Sequence, residues 1–145
     1  MDTNFTPIQL TDEYRIGVDS IDQEHGHLIN IYNELVKAAG SAGEAEIAAA
    51  TLKKLFEYAD YHFASEERVM ASVSYPEMEG HHRQHESFIR ALDDLAHAQT
   101  GSESEILGKL LTFVKNWIRG HILLTDKRLG EFVHSQYQGP RPSAG

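Results

Sequence analysis

The stretch "HHRQHESFIRALDDL" (residues 81–95) places His81, His85, Phe88, Ile89, Leu92 and Leu95 three or four residues apart. That interval marks one face of an α-helix, since a strand would alternate every second residue. The segment therefore reads as a helix whose buried stripe, with Met78 at its start, contains two imidazoles.

The rest of the chain follows the same period. Asp19 suits the cap of a first helix beginning near Ser20, and "AGSAG" (39–43) ends it with two glycines. A second helix is expected from about Glu44 to Ala71, stopping before "SYP". Pro76 fits the first turn of the third, which is expected to reach residue 101. Ser102 and Glu105 form an S-x-x-E capping box for a fourth, running to about residue 135. Strand signals are nearly absent. Four long helices with short loops predict an all-α, up-down-up-down four-helix bundle. Residues 1–18 read as an N-terminal arm, 19–137 as the bundle and 138–145 ("QGPRPSAG") as a flexible tail.

Bulk properties narrow the function classes. The chain has 145 residues, a single-domain length. Acidic residues outnumber basic ones 22 to 13, and a net charge of -9 argues against nucleic acid or an anionic membrane as partner. No cysteine is present, which excludes disulfides, thiolate metal sites and cysteine nucleophiles. There is no apolar run long enough to span a membrane and no signal-peptide pattern, so no membrane insertion and a cytoplasmic location are expected.

Histidine recurs in every predicted stripe. His25 lies among Ile21, Leu28, Ile29, Tyr32, Leu35 and Val36; His62 and, slightly off centre, Glu66 lie with Leu55, Tyr58 and Val69. His121 shares a face with Leu110, Val114, Trp117 and Leu124. A lone histidine on an apolar face is ordinarily a core residue with one hydrogen bond. Five of them at one level, with a carboxylate, would leave many buried nitrogens unsatisfied unless something binds them together. A metal does so, because neutral imidazole is the commonest metal ligand.

Spacing refines the reading. His62 and Glu66, like His81 and His85, are four residues apart, about 40° around a helix, so each pair can grip one ion. Five histidines exceed what a single catalytic ion takes, which points to two metals bridged by anions. Glu66 is one candidate bridge and Asp126 the second. Asp126 lies five residues after His121, about 140° away in a regular helix. A π-bulge between them is therefore predicted, with Gly120 loosening the helix beside it. On spacing alone, Asp126 is equally well a solvated charge beside Lys127 and Arg128. His27, His82, His97 and His134 fall off the stripes or near helix ends and are read as bystanders.

Taken in order, "IDQEH" (21–25), "HFASEE" (62–67), "HHRQH" (81–85) and "WIRGHILLTD" (117–126) resemble the hemerythrin family, specifically its bacterial members. The likeness runs from about Gly17 to Leu129. It implies a four-helix bundle with a non-haem di-iron site that binds O2 reversibly. It further implies that His81, His85 and His121 hold one iron and that His25 and His62 hold the other. Glu66 and Asp126 would bridge them beside an oxo or hydroxo group, with O2 binding at an open position on the two-histidine iron. Phe63, Trp117, Ile118 and Ile122 match positions that line the family's O2 pocket, though ordinary core packing accounts for them as well. One departure is visible: many bacterial relatives carry tryptophan in the arm, where this chain reads "PIQLTDEYRIG" (7–17).

Four function classes follow. The first is a non-enzymatic O2 carrier, store or delivery protein serving an O2-consuming partner. The others are an O2 or redox sensor, a di-iron oxidase, peroxidase or nitric-oxide-handling enzyme, and a redox-silent zinc or manganese bundle.

Overall fold

The computed structural model describes residues 5–97 and 103–138. Among these, every regular element is helical. The bundle consists of α1 (Asp19–Ala38), α2 (Glu44–Ser72), α3 (Met78–Ala96) and a fourth rod. That rod runs unbroken as α4 (Glu103–Trp117), a π-helical segment (Ile118–Asp126) and α5 (Lys127–Gln138). α1 packs on α2, α2 on α3, α3 on α4, and α4 closes the ring against α1. This is the expected four-helix bundle.

Several boundaries differ from the sequence reading for local reasons. Asp19 lies inside α1 and makes no cap; Asp22 instead accepts from the backbone N–H groups of Ile16 (2.7 Å) and Gly17 (3.1 Å). α2 ends in a Schellman motif, with Tyr75 N–H donating to Met70 O and Ser74 N–H to Ala71 O. Ser74 takes the left-handed conformation (φ 52°) that this motif requires. The reversal delays α3 to Met78, two residues after Pro76, and α3 stops at Ala96. Ser102 of the predicted capping box and residues 139–145 of the predicted tail lie outside the described residues.

The described part of the arm is pinned to the bundle at several points. Asn33 exchanges two hydrogen bonds with the backbone of Ile8, at 2.8 and 2.9 Å. Lys127 Nζ donates to the carbonyls of Glu13 (2.9 Å) and Arg15 (2.6 Å). Ile16 is buried, and its backbone crosses α5 at Gly130, where a Cβ would stand only 2.3 Å from Ile16 O.

Two apolar clusters fill the bundle. The larger includes Leu28, Tyr58, Phe63, Phe88, Ile118 and Ile122; the smaller is built on Met70, Tyr75, Leu129 and Val133. Along each helix the inward histidines and carboxylates fall between residues of these clusters or between buried apolar neighbours, so the polar layer is sealed on both sides. Two predicted stripe residues are exposed, Ile89 on α3 (37%) and Leu124 (61%). The sequence reading assumed the regular 3.6-residue turn past His121, but the π segment turns less per residue and swings position 124 outward.

Candidate metal centre

All seven predicted ligands meet in this layer. His25, His62, Glu66, His81, His85, His121 and Asp126 are each no more than 2% exposed. They fall into two groups whose ligand atoms lie within 4.8 Å of one another: Glu66 with His81, His85 and His121, and Glu66 with His25, His62 and Asp126. The π segment is what admits Asp126. Its wider turn brings a residue five positions after His121 to the same face, leaving His121 Nε2 and Asp126 Oδ1 3.1 Å apart.

The carboxylates divide their oxygens between the groups. Glu66 Oε1 lies 3.0 Å from His81 Nε2 and 2.9 Å from His85 Nε2, while Oε2 lies 3.1 Å from His62 Nε2 and 3.3 Å from His25 Nε2. Asp126 does the same, with Oδ1 3.0 Å from His81 and Oδ2 2.9 Å from His25. Yet both Asp126 oxygens and His121 Nε2 lack any partner with hydrogen-bond geometry. The separations suit a hydrogen bond and the directions do not, while the ligand atoms of each group stay within 4.8 Å of one another. Buried polar groups so arranged fit a pair of cations.

The electrostatics agree. Burial disfavours charge on His25, but the Asp126 and Glu66 carboxylates outweigh it and push its pKa up to about 10. His81 is raised to about 9 against the same burial by the same two carboxylates. Burial and the neighbouring Glu66 would raise Asp126; His121 and His25 overcome both and hold it at about 2. Glu66 likewise lies well below the usual carboxylate range, burial being outweighed first by His62. Without a metal the layer holds protons on imidazole; a metal must displace them.

Three residues missed by the sequence reading complete the centre, and each reaches across to a neighbouring helix. Glu24 on α1 accepts from His62 Nδ1–H on α2 (2.6 Å), and Glu67 on α2 accepts from His85 Nδ1–H on α3 (3.0 Å). Gln84 Oε1 on α3 accepts from His121 Nδ1–H in the π segment (2.7 Å). Such outer partners fix ring orientation and turn Nε2 inward. Each adjoins a ligand in sequence, but nothing in a periodicity signals a contact between helices. His82, 47% exposed on its side chain, faces away from the layer as expected, though its Nδ1 also holds Glu67 (2.7 Å). The other histidines read as bystanders, His27, His97 and His134, are exposed.

Aromatic side chains wall the three-histidine group. Phe63 stacks on His85 (3.9 Å, 4°) and Trp117 on His121 (3.9 Å, 12°). Ile118 and Ile122 are buried in the larger apolar cluster. On the other side, Tyr58 stacks on His62 (4.9 Å, 17°), and its buried hydroxyl has no hydrogen-bond partner.

Comparison with known proteins points the same way. The model of the hemerythrin HHE cation binding domain matches residues 16–133. A bacteriohemerythrin of Clostridium acetobutylicum is 32% identical over 120 residues, covering 80% of this chain and 93% of its own. A bacteriohemerythrin of Stenotrophomonas maltophilia is 31% identical over 122 residues, covering 84% and 78%. A myohemerythrin of Theromyzon tessulatum is 25% identical over 120 residues, covering 83% and 88%.

Proposed function

Because this chain belongs to the hemerythrin family, we propose that it holds two iron ions and binds O2 reversibly as a carrier, store or delivery protein. The carrying observation is the pair of buried four-residue groups sharing Glu66. In this reading His81, His85 and His121 would hold one iron and His25 and His62 the other. Glu66 and Asp126, each with one oxygen turned to either group, would serve both ions beside an oxo or hydroxo group. Two irons so held would supply the redox couple that O2 binding requires.

The chain's own residues favour binding over oxidation. Two carboxylates and five neutral imidazoles carry far less negative charge than the carboxylate-rich sites of ferritin-like proteins, which stabilises the reduced pair and disfavours strongly oxidised states. Glu24, Glu67 and Gln84 hold three of the rings, so the ligand geometry changes little between states. Phe63, Trp117, Ile118 and Ile122 keep water out of the layer and line the approach of O2. We read the protein as non-enzymatic, with O2 as its ligand and an O2-consuming protein as the recipient.

Tyr58 favours a second reading. Reversible binding needs few proton donors near the ligand, yet the Tyr58 hydroxyl is buried, unpartnered and beside the two-histidine group. Burial first, then Glu66, Asp126 and Glu24, raise its pKa well above the ordinary value, so it keeps its proton. A donor there would shorten the life of the oxygenated form, as suits an O2 or redox sensor. The test is an absorption spectrum of the reduced, iron-loaded protein under argon, in air and under argon again. A visible charge-transfer band that appears in air and vanishes on return supports the carrier; a band that decays within seconds supports the sensor. An iron-loaded sample with no such band refutes both.

A further inference from the structure

A cavity of about 710 Å³ follows the outer joint of α1 and α2, beyond the metal layer. Its α1 wall recurs every three or four residues from Ser20 to Glu34, a reach of roughly 20 Å at 1.5 Å per residue. The buried Ile31 and Tyr58 give it an apolar floor, and Tyr61 stands at the rim, 67% exposed. The volume falls within the range of about 300–1,000 Å³ that small-molecule sites occupy.

Three carboxylates, Glu24, Glu34 and Glu57, line the cavity against one ammonium, Lys54. Ser20, Gln23, Asn30 and His27 complete the lining, and each can donate or accept, so the four charged groups decide the sign. The rings of His25 on α1 and His62 on α2 meet at 4.9 Å, and the two helices run in opposite directions, which fixes the order along the groove. Glu24 therefore lies towards Tyr61, Glu34 lies towards Lys54, and Glu57 lies between. Glu34 is offset by Lys54 and stands 3.6 Å from Lys37, whereas Glu57 has no hydrogen bond or ion pair among the described residues. The excess negative charge thus collects at the aromatic end. Carboxylates beside an exposed ring attract a cation, and an apolar floor favours one that carries hydrocarbon over an inorganic ion.

We propose that this groove binds a small organic cation with a flat apolar body, its charge between Glu24 and Glu57 and its body against Ile31, Tyr58 and Tyr61. Two of these residues also hold His62. Tyr58 stacks on the ring, and Glu24, 14% exposed on its side chain, accepts from Nδ1–H at 2.6 Å. A cation beside Glu24 draws its charge away from that hydrogen bond and adds positive potential next to the layer. Unlike the binding itself, the consequence rests on the reading that a metal takes His62 Nε2: both effects then weaken the ring as a donor and favour the reduced pair. The coupling is reciprocal, so the reduced protein binds the cation more tightly than the oxidised protein.

The experiment titrates tryptamine, and separately its neutral analogue tryptophol, into the iron-loaded protein by calorimetry at fixed ionic strength, with parallel measurement of the reduction potential. One tryptamine should bind per chain and raise the potential, and tryptophol should bind at least tenfold more weakly. Glu57→Gln should weaken tryptamine about two- to fivefold, the range of one exposed ion pair, and Tyr61→Ala by a similar factor. Lys54→Gln should tighten it. All three positions are exposed, so these variants should melt like the parent. No saturable heat, equal binding of the two probes, or binding indifferent to both Glu57→Gln and Tyr61→Ala overturns the proposal. So does a dimer that Tyr61→Ala dissociates, which would assign the groove to a second copy of the chain. An unmoved potential overturns the link to His62 and leaves the cation site standing. If tryptamine still binds with this selectivity to a protein that shows no reversible spectrum in air, the O2 reading falls and the cation site stands. A reversible spectrum without tryptamine binding has the opposite meaning.

Discussion

A single helix turn separates the fates of His81, His82 and His85. His81 and His85 are buried in the layer, and His82 lies on the flank holding Glu67. His81→Ala or His85→Ala should therefore lose at least one iron per chain, while His82→Ala keeps both, measured by iron-to-protein stoichiometry after loading. Equal loss from His82→Ala would contradict the placement of the ligands. Tyr58 gives the second test at this scale. If its hydroxyl donates towards bound O2, Tyr58→Phe should slow decay of the oxygenated form by roughly tenfold or more, the loss of one hydrogen bond to a charged group. An unchanged decay rate would confine Tyr58 to stacking on His62.

Among the elements, the π segment is where local preference yields to the site. A π-helix is rare because its wider turn sacrifices regular hydrogen bonding and packing, and it persists where a function depends on it. Here it serves Asp126, at the cost of exposing Leu124. Gly120 within it meets nothing within 4 Å of an added Cβ, so steric freedom does not explain its presence. The contact of α5 with the arm is different, since only hydrogen at position 130 lets the Ile16 backbone approach. Gly130→Ala should destabilise the protein by about 1–3 kcal/mol through overpacking. Gly108→Ala, in the interior of α4 with open space around it, should stabilise it by about 0.5–1 kcal/mol. Thermal melts that moved both variants in one direction would contradict this account of the arm.

For the whole molecule, the polar layer couples folding to pH. His25 and His81 carry folded pKa values of about 10 and about 9 against an ordinary 6.5. Their stabilisation is complete below about pH 6.5 and is lost as pH rises through 9 to 10. Asp126 is held at about 2 against an ordinary 3.8, so its share is present above pH 3.8 and is lost as pH falls through 2. Chelator-stripped protein should thus be most stable between about pH 4 and 6.5, with its melting temperature declining towards pH 10. The iron-loaded protein should escape the alkaline decline, because metal has replaced the Nε2 protons. Melting curves of both forms across this range check the prediction; an alkaline decline equal in the two would refute it.

Much of this was legible from residue order alone. Helical periodicity is a property of one segment, so the four rods, most of the inward side of each and six of the seven candidate ligands could be read without knowing how the rods pack. Asp126 was different: its i, i+5 interval from His121 fitted a widened turn and a solvated charge equally, and only the resemblance to the hemerythrin family favoured the first. Tertiary structure decided what depends on the rotation and offset of one helix against another. It set which oxygen of Glu66 and Asp126 serves which group, and the grip of Glu24, Glu67 and Gln84 on rings of neighbouring helices. It also set the outward swing of Leu124 and the cavity along α1 and α2. Those contacts join atoms far apart in the chain, and only the packing of the bundle brings them together.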